Sequence, residues 1–232
     1  MSFAVDPHQW LWIGCTIAAA GIQTARNAMQ RSLTDRLGTV GATHVRFLFG
    51  LPFGLLFLAG MGIAADLTVL RLSSSFAGWA LMGAVFQILG TALMLAAMRE
   101  RSFVVSIAYV KTEPVQIVLF GLVFLGERLS LQGSAAVLVA TVGVLLMSMP
   151  AGAKCPGADE SSTTRRLPRA ALFGILSGAM FALSAVGFRG AILALGDGPF
   201  YLRATATLAT SLAMQTAMLT AWLLWRDRQA LR

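Results

Sequence analysis

Between Ser102 and Leu125 the chain reads SFVVSIAYVKTEPVQIVLFGLVFL. The run is long and apolar enough to cross a bilayer as a helix of roughly 20 residues. Lys111, Glu113 and Pro114 stand near its middle. A charge at bilayer depth costs about 2.5–3.5 kcal/mol on insertion scales. Proline removes a backbone donor and kinks a helix. A span that only crosses the membrane has no use for these three residues. We read them as part of a polar cavity inside a helical membrane protein, with Pro114 as a helix kink and the rest of the chain building the cavity.

Composition agrees. Of 232 residues, 57% are hydrophobic and 12% charged, against about 25% charged in soluble domains. The deficit is spread over the whole length, which excludes a soluble domain on an anchor. The net charge of +8 comes mostly from arginines near the ends of apolar runs. The positive-inside effect accounts for it more simply than a nucleic-acid partner does. Cys15 lies in the first run and Cys155 in a loop, so neither a disulfide nor a metal motif is expected. His8 and His44 have no metal partners in the sequence. There is no Walker-type loop, no GxSxG and no HExxH, so ATP coupling and hydrolytic chemistry are unsupported. No catalytic residue, metal or cofactor is expected, and the chain does not read as an enzyme.

Seven apolar runs are predicted, at about 9–33, 43–63, 76–98, 102–125, 131–149, 170–195 and 199–225. They are too long and unbroken for barrel strands of about ten alternating residues. The fold class is therefore an all-α membrane protein, a bundle of about seven transmembrane helices. The first run ends in TARNAMQRS. Either the helix stops near Thr24 and Arg26 and Arg31 snorkel into the interface, or it continues and offers a cation to the cavity. The second run opens at Arg46; Gly50 and Gly54 permit close packing, and Pro52 predicts a bend. The third contains Gln87, either an interhelical bond or a ligand contact. The hydrophilic stretch 150–169 reads as a linker. Trp10, Trp12, Trp222 and Trp225 at run ends form an aromatic belt.

The chain also resembles itself at an offset of 157. Gly21 meets Gly178, Gly41 meets Gly198, and Arg46 meets Arg203. Both arginines open a long apolar run five residues after a glycine. The sixth and seventh runs then copy the first and second. This divides the chain into a five-helix repeat at 9–149, a linker at 150–169 and an incomplete second repeat at 170–226. A counterpart of the Lys-Glu-Pro helix would fall near position ~270, beyond the last residue. A repeat with an odd number of spans implies halves of opposite orientation, a common plan for secondary transporters with the binding site where the halves meet.

Arg46-Phe47 opening the second run, Thr112-Glu113-Pro114, and Gly126-Glu127-Arg128-Leu129 ending the fourth together resemble the EamA-type proteins of the drug/metabolite transporter superfamily. The resemblance implies two five-helix repeats and the export or exchange of small metabolites, amino acids or drugs without ATP. This chain departs from the pattern in having seven runs rather than ten. Ala20-Gly21 stands where the family has tryptophan-glycine, and Arg26 or Arg31 matches the following basic residue only loosely.

The residues expected to contact substrate or couple its movement are Lys111, Glu113 and Tyr109, then Arg46, Arg203 and Gln87. Lys111 would attract an anionic group and Glu113 would take a proton or a cationic group. The competing structural reading is an ion pair between Glu113 and Arg31 or Arg46. Basic residues cluster at the ends of the first, third, fifth and seventh runs, which places the amino terminus outside; the resemblance implies the opposite. The expected function is secondary transport by alternating access in the inner or plasma membrane. The alternative is a non-transporting membrane scaffold or a fragment of a carrier. The expected partners are a small-molecule substrate, the lipid bilayer and a second copy in a homodimer; nucleic acid is excluded.

Overall fold

The computed structural model describes residues 7–64, 70–100, 103–126, 130–148 and 160–226. Seven helices run through them: α1 (Pro7–Ala64), α2 (Ser74–Glu100), α3 (Phe103–Val110), α4 (Glu113–Leu125), α5 (Leu131–Ser148), α6 (Glu160–Ala194) and α7 (Phe200–Arg226). The chain is an all-helical membrane bundle. Among the described residues five stretches are long and apolar enough to span a bilayer, and the first, Ile13–Ile63, has 51 residues. At about 1.5 Å per residue that is more than twice the hydrocarbon thickness. It holds two of the predicted runs.

The division within α1 falls at Gly38, whose φ of 69° and ψ of 175° are non-helical. Only glycine adopts this conformation without strain. Pro52 lies inside the second arm with helical torsions around it, and Gly38, between the two predicted runs, is the residue that breaks α1. The helix also does not end near Thr24 but runs on to the break. Across the break, Gln30 donates to the carbonyl of Ala42 at 3.3 Å and accepts from Arg46 at 3.4 Å.

The predicted Ser102–Leu125 helix is two helices. Pro114 occupies the first turn of α4 and has no N–H for the carbonyl of Val110, four residues back. α3 therefore closes in a tight turn, with the Lys111 N–H donating to Ile107 and Ala108 and the Thr112 N–H to Tyr109. The break lies just ahead of the proline, at Lys111-Thr112. The linker is also shorter than expected, since α6 begins at Glu160. Its second half, Glu160 to Arg169, holds no glycine, and Pro168, the one residue there that opposes a helix, falls within α6. Residues 150–159, Cys155 among them, and the Glu127-Arg128-Leu129 ending lie outside the described residues.

α2 and α6 form the spine, packed antiparallel. Gly90 faces Phe181 and Gly83 faces Phe188. Where the helices cross, a Cβ on Gly187 would sit 2.7 Å from the backbone nitrogen of Gly83. The Ser177 hydroxyl donates across the same seam to the Gly90 carbonyl at 2.7 Å. The second arm of α1 runs antiparallel to α7, with Gly50 and Gly54 against Leu212, the packing role expected of that glycine pair. His44 pairs with Thr220 at 2.9 Å on this seam. Buried cores of Phe76, Ala80, Ala191, Leu195 and Ala206 at one end, and Ala42, Met94, Leu95 and Met98 at the other, hold the bundle.

The ends of the bundle are distinct. Arg31, Thr34 and Asp35, just before the Gly38 break, share a small cavity with Leu95, Met98 and Arg99. At the other end the N–H of Arg71 donates to the carbonyl of Leu195 at 3.1 Å, beside Gly196 with its φ of 91°. The α1 break and the α6–α7 turn thus occupy opposite ends.

Candidate functional site

The chain break at Lys111-Thr112 opens onto a cavity of about 310 Å³. The first arm of α1 contributes Gln23, Arg26 and Asn27; the second contributes Arg46. Gln87 and Met94 come from α2, Phe181 from α6, and Lys111 and Glu113 from the two sides of the break. Four of the six residues expected to contact substrate are therefore near one another: Lys111, Glu113, Arg46 and Gln87. An interrupted helix suits this position. Non-helical backbone is tolerated at membrane depth where it lines a cavity or is covered by protein. Covering is provided by α6: the Gln116 amide donates to the carbonyl of Ile175 at 3.5 Å and to Thr112 Oγ1 at 3.3 Å.

A second cavity of about 410 Å³ shares Arg26, Arg46 and Gln87 with the first. Elsewhere its wall is mostly apolar, including Phe47, Phe53 and Phe57 of α1, Phe188 of α6 and Leu208 of α7. The two lobes adjoin at Arg26, Arg46 and Gln87, the last at the middle of α2. The polar lobe extends toward the Arg99 end and the apolar lobe toward the Arg71 end. Each lobe lies within the usual range of about 300–1,000 Å³ for small-molecule sites. The space is open: Arg26, Lys111, Phe53 and Phe57 are exposed, while Arg46 and Glu113 are half-buried.

Three cations face one carboxylate in the polar lobe. Among the described residues, the side chains of Arg26, Lys111 and Glu113 have no hydrogen-bond or ion-pair partner. The expected ion pair between Glu113 and Arg31 or Arg46 is therefore not formed. Arg31 lies at the helix end beside Asp35 and Arg99, and Arg46 reaches the neutral Gln30 and lies 5.7 Å from the centre of the Phe47 ring. Gln87 makes the interhelical bond that was one of its two readings. It accepts from Gln215 Nε2 of α7 at 2.7 Å and lines both lobes.

Two expectations are corrected. Tyr109 lines neither lobe; it packs against Gly174 of α6. Two residues separate it from Lys111, and on a helix that spacing turns side chains about 200° apart. Arg203 lines neither lobe either. Its guanidinium donates to the carbonyls of Gly196 at 2.8 Å and Ile192 at 3.5 Å, groups a helix C-terminus leaves without partners. Arg26 turns out to be a shared wall of both lobes, one of the two readings left open for it. Asn27 was missed. It is 8% exposed and its amide oxygen has no partner. Its position one residue after Arg26, in a run of polar residues, was the only signal. Cys15 is free and exposed, and the described residues contain no cluster of His, Cys, Asp and Glu fit to hold a metal.

No curated protein and no solved structure matches the chain. A family profile does, over residues 9–149, from the first arm of α1 to the end of α5. That stretch carries all of the polar lobe except Phe181, and it is more than half of the chain. The chain belongs to the EamA-like transporter family, membrane transporters of the drug/metabolite type.

Proposed function

We propose that this protein is a secondary transporter that exports or exchanges a small metabolite, amino acid or drug across the inner or plasma membrane by alternating access. The observation that carries the reading is the broken helix α3–α4, which sets Lys111 and Glu113 on the wall of an open polar cavity in a helical bundle. Ionisable side chains inside a membrane are expensive. Among the described residues Lys111 and Glu113 have no hydrogen-bond or ion-pair partner, which leaves binding as their use.

The geometry of the repeat supports the mechanism. Helix, positive-φ glycine and helix recur at Gly38 and Gly196, close to the 157-residue offset, and the two glycines lie at opposite ends of the bundle. Units related in this way can rock against one another about a site near the membrane midplane. Lys111, Glu113 and Arg46 are the residues proposed to contact substrate or couple its movement, with Gln87 beside them.

The test is flux in membrane vesicles. Glu113→Gln keeps the shape of the side chain and removes its charge. Coupled uptake or efflux should be lost while the amount of inserted protein is unchanged. Flux like that of the wild type would refute the proposed role of Glu113, and no flux from the wild type would favour a scaffold or carrier fragment.

A further inference from the structure

Building on the carrier reading above, we propose that the cargo is an amphipathic organic anion. Its oxyanion head occupies the polar lobe and its apolar, ring-bearing tail the adjoining lobe. Charge decides the head. Arg26, Arg46 and Lys111 face only Glu113. Among the described residues Arg26 and Lys111 have no hydrogen-bond or ion-pair partner, and Arg46 meets a neutral amide and the Phe47 ring. Like charges gathered on one wall repel each other, and an anion placed among them relieves that repulsion. Guanidinium groups present paired donors that match an oxyanion. An organic cation would meet three like charges and one opposite charge.

The second lobe decides the tail. It begins at the same two arginines and at Gln87, so a head held there has an apolar space next to it within the length of one small molecule. Phe47, Phe53, Phe57 and Phe188 wall that space. Aromatic walls favour an apolar body, and a ring above others, through edge and offset contacts. A small inorganic anion would leave this lobe unused.

Permanently charged probes separate the possibilities, because they neither lose their charge nor leak as neutral acids. The purified full chain is assayed by thermal stabilisation in detergent and by uptake into proteoliposomes. The probes are 2-phenylethanesulfonate, ethanesulfonate and phenyltrimethylammonium. The phenyl sulfonate should stabilise the protein and enter saturably, with an affinity about tenfold or more above that of ethanesulfonate. The ammonium compound should do neither. Arg26→Gln removes a charge without removing any protein contact and should weaken phenyl sulfonate binding about tenfold; Arg26→Lys should restore part of it. Phe53→Ala should weaken the phenyl sulfonate and leave ethanesulfonate unchanged. Saturable uptake of the ammonium probe at equal or higher affinity would overturn the anionic head and leave the carrier standing. Equal binding of the two sulfonates would overturn the tail lobe. If none of the three is bound or carried, the cargo assignment and the site itself both fall.

Discussion

Gln215 of α7 is wholly buried and donates to Gln87 Oε1 at 2.7 Å and to the Ala84 carbonyl at 3.4 Å. Such bonds between membrane helices contribute about 0.6 kcal/mol on average and up to about 1.7. A double-mutant cycle of Gln87→Leu and Gln215→Leu, followed by unfolding in SDS, should give a coupling in that range. Gln87 also faces both lobes, so Gln87→Leu should weaken cargo binding beyond what Gln215→Leu does. A coupling of zero would remove the structural role, and equal binding losses would remove the cavity role. At this scale the site was partly legible. Lys111 and Glu113 stand out because a charge among apolar residues has few cheap explanations. Tyr109 and Arg203 were misplaced because sequence spacing and repeat matching do not show what a side chain meets in space. Arg46 and Arg203 match across the repeat, yet one reaches the cavity and the other the carbonyls that end α6.

Among the elements, α1 shows where reading from pattern stops. Its two apolar runs, 9–33 and 43–63, leave an interval for the break, but nothing in the sequence singles out Gly38 within it, whereas Pro52 stands out although the torsions around it are helical. Proline announces itself by what it lacks, whereas glycines are common throughout membrane helices and a single one carries no mark of its torsions. Gly38→Ala forces a side chain into a conformation that costs about 1–3 kcal/mol, although nothing stands within 4 Å of where the new Cβ would be. The variant should lose thermal stability by that amount, with the two arms drawn toward a continuous helix. Pro52→Ala, inside regular helix, should be neutral or stabilising. If the order is reversed, the break does not depend on Gly38. The α2–α6 crossing is a different use of glycine. Gly187→Leu would drive a side chain into the backbone of Gly83, and overpacking of this kind costs about 1–3 kcal/mol or more. It should lower the yield of folded protein, and a yield like that of the wild type would contradict the crossing.

For the whole molecule, the arrangement of the ends turns a count of charges into a topology. The cavity shared by Arg31, Asp35 and Arg99 puts the end of the first arm of α1 and the end of α2 on one side. α6 runs antiparallel to α2, so its beginning, and with it Arg165, Arg166 and Arg169, lies on that side as well. Arg71 is at the other end, beside Leu195 and Gly196. The excess of arginine is therefore gathered at one end of the folded bundle. The positive-inside rule then predicts that the Gly38 break faces the cytoplasm and the beginning of α1 the outside, opposite to what the resemblance implies. Asp35, exposed just before the break, can report on this. In a background with Cys15 and Cys155 replaced by Ser, Asp35→Cys should resist a membrane-impermeant maleimide in intact cells and react in inside-out vesicles. Labelling in intact cells would turn the bundle over, and the polar lobe, which extends toward the basic end, would then open to the outside instead of to the cytoplasm.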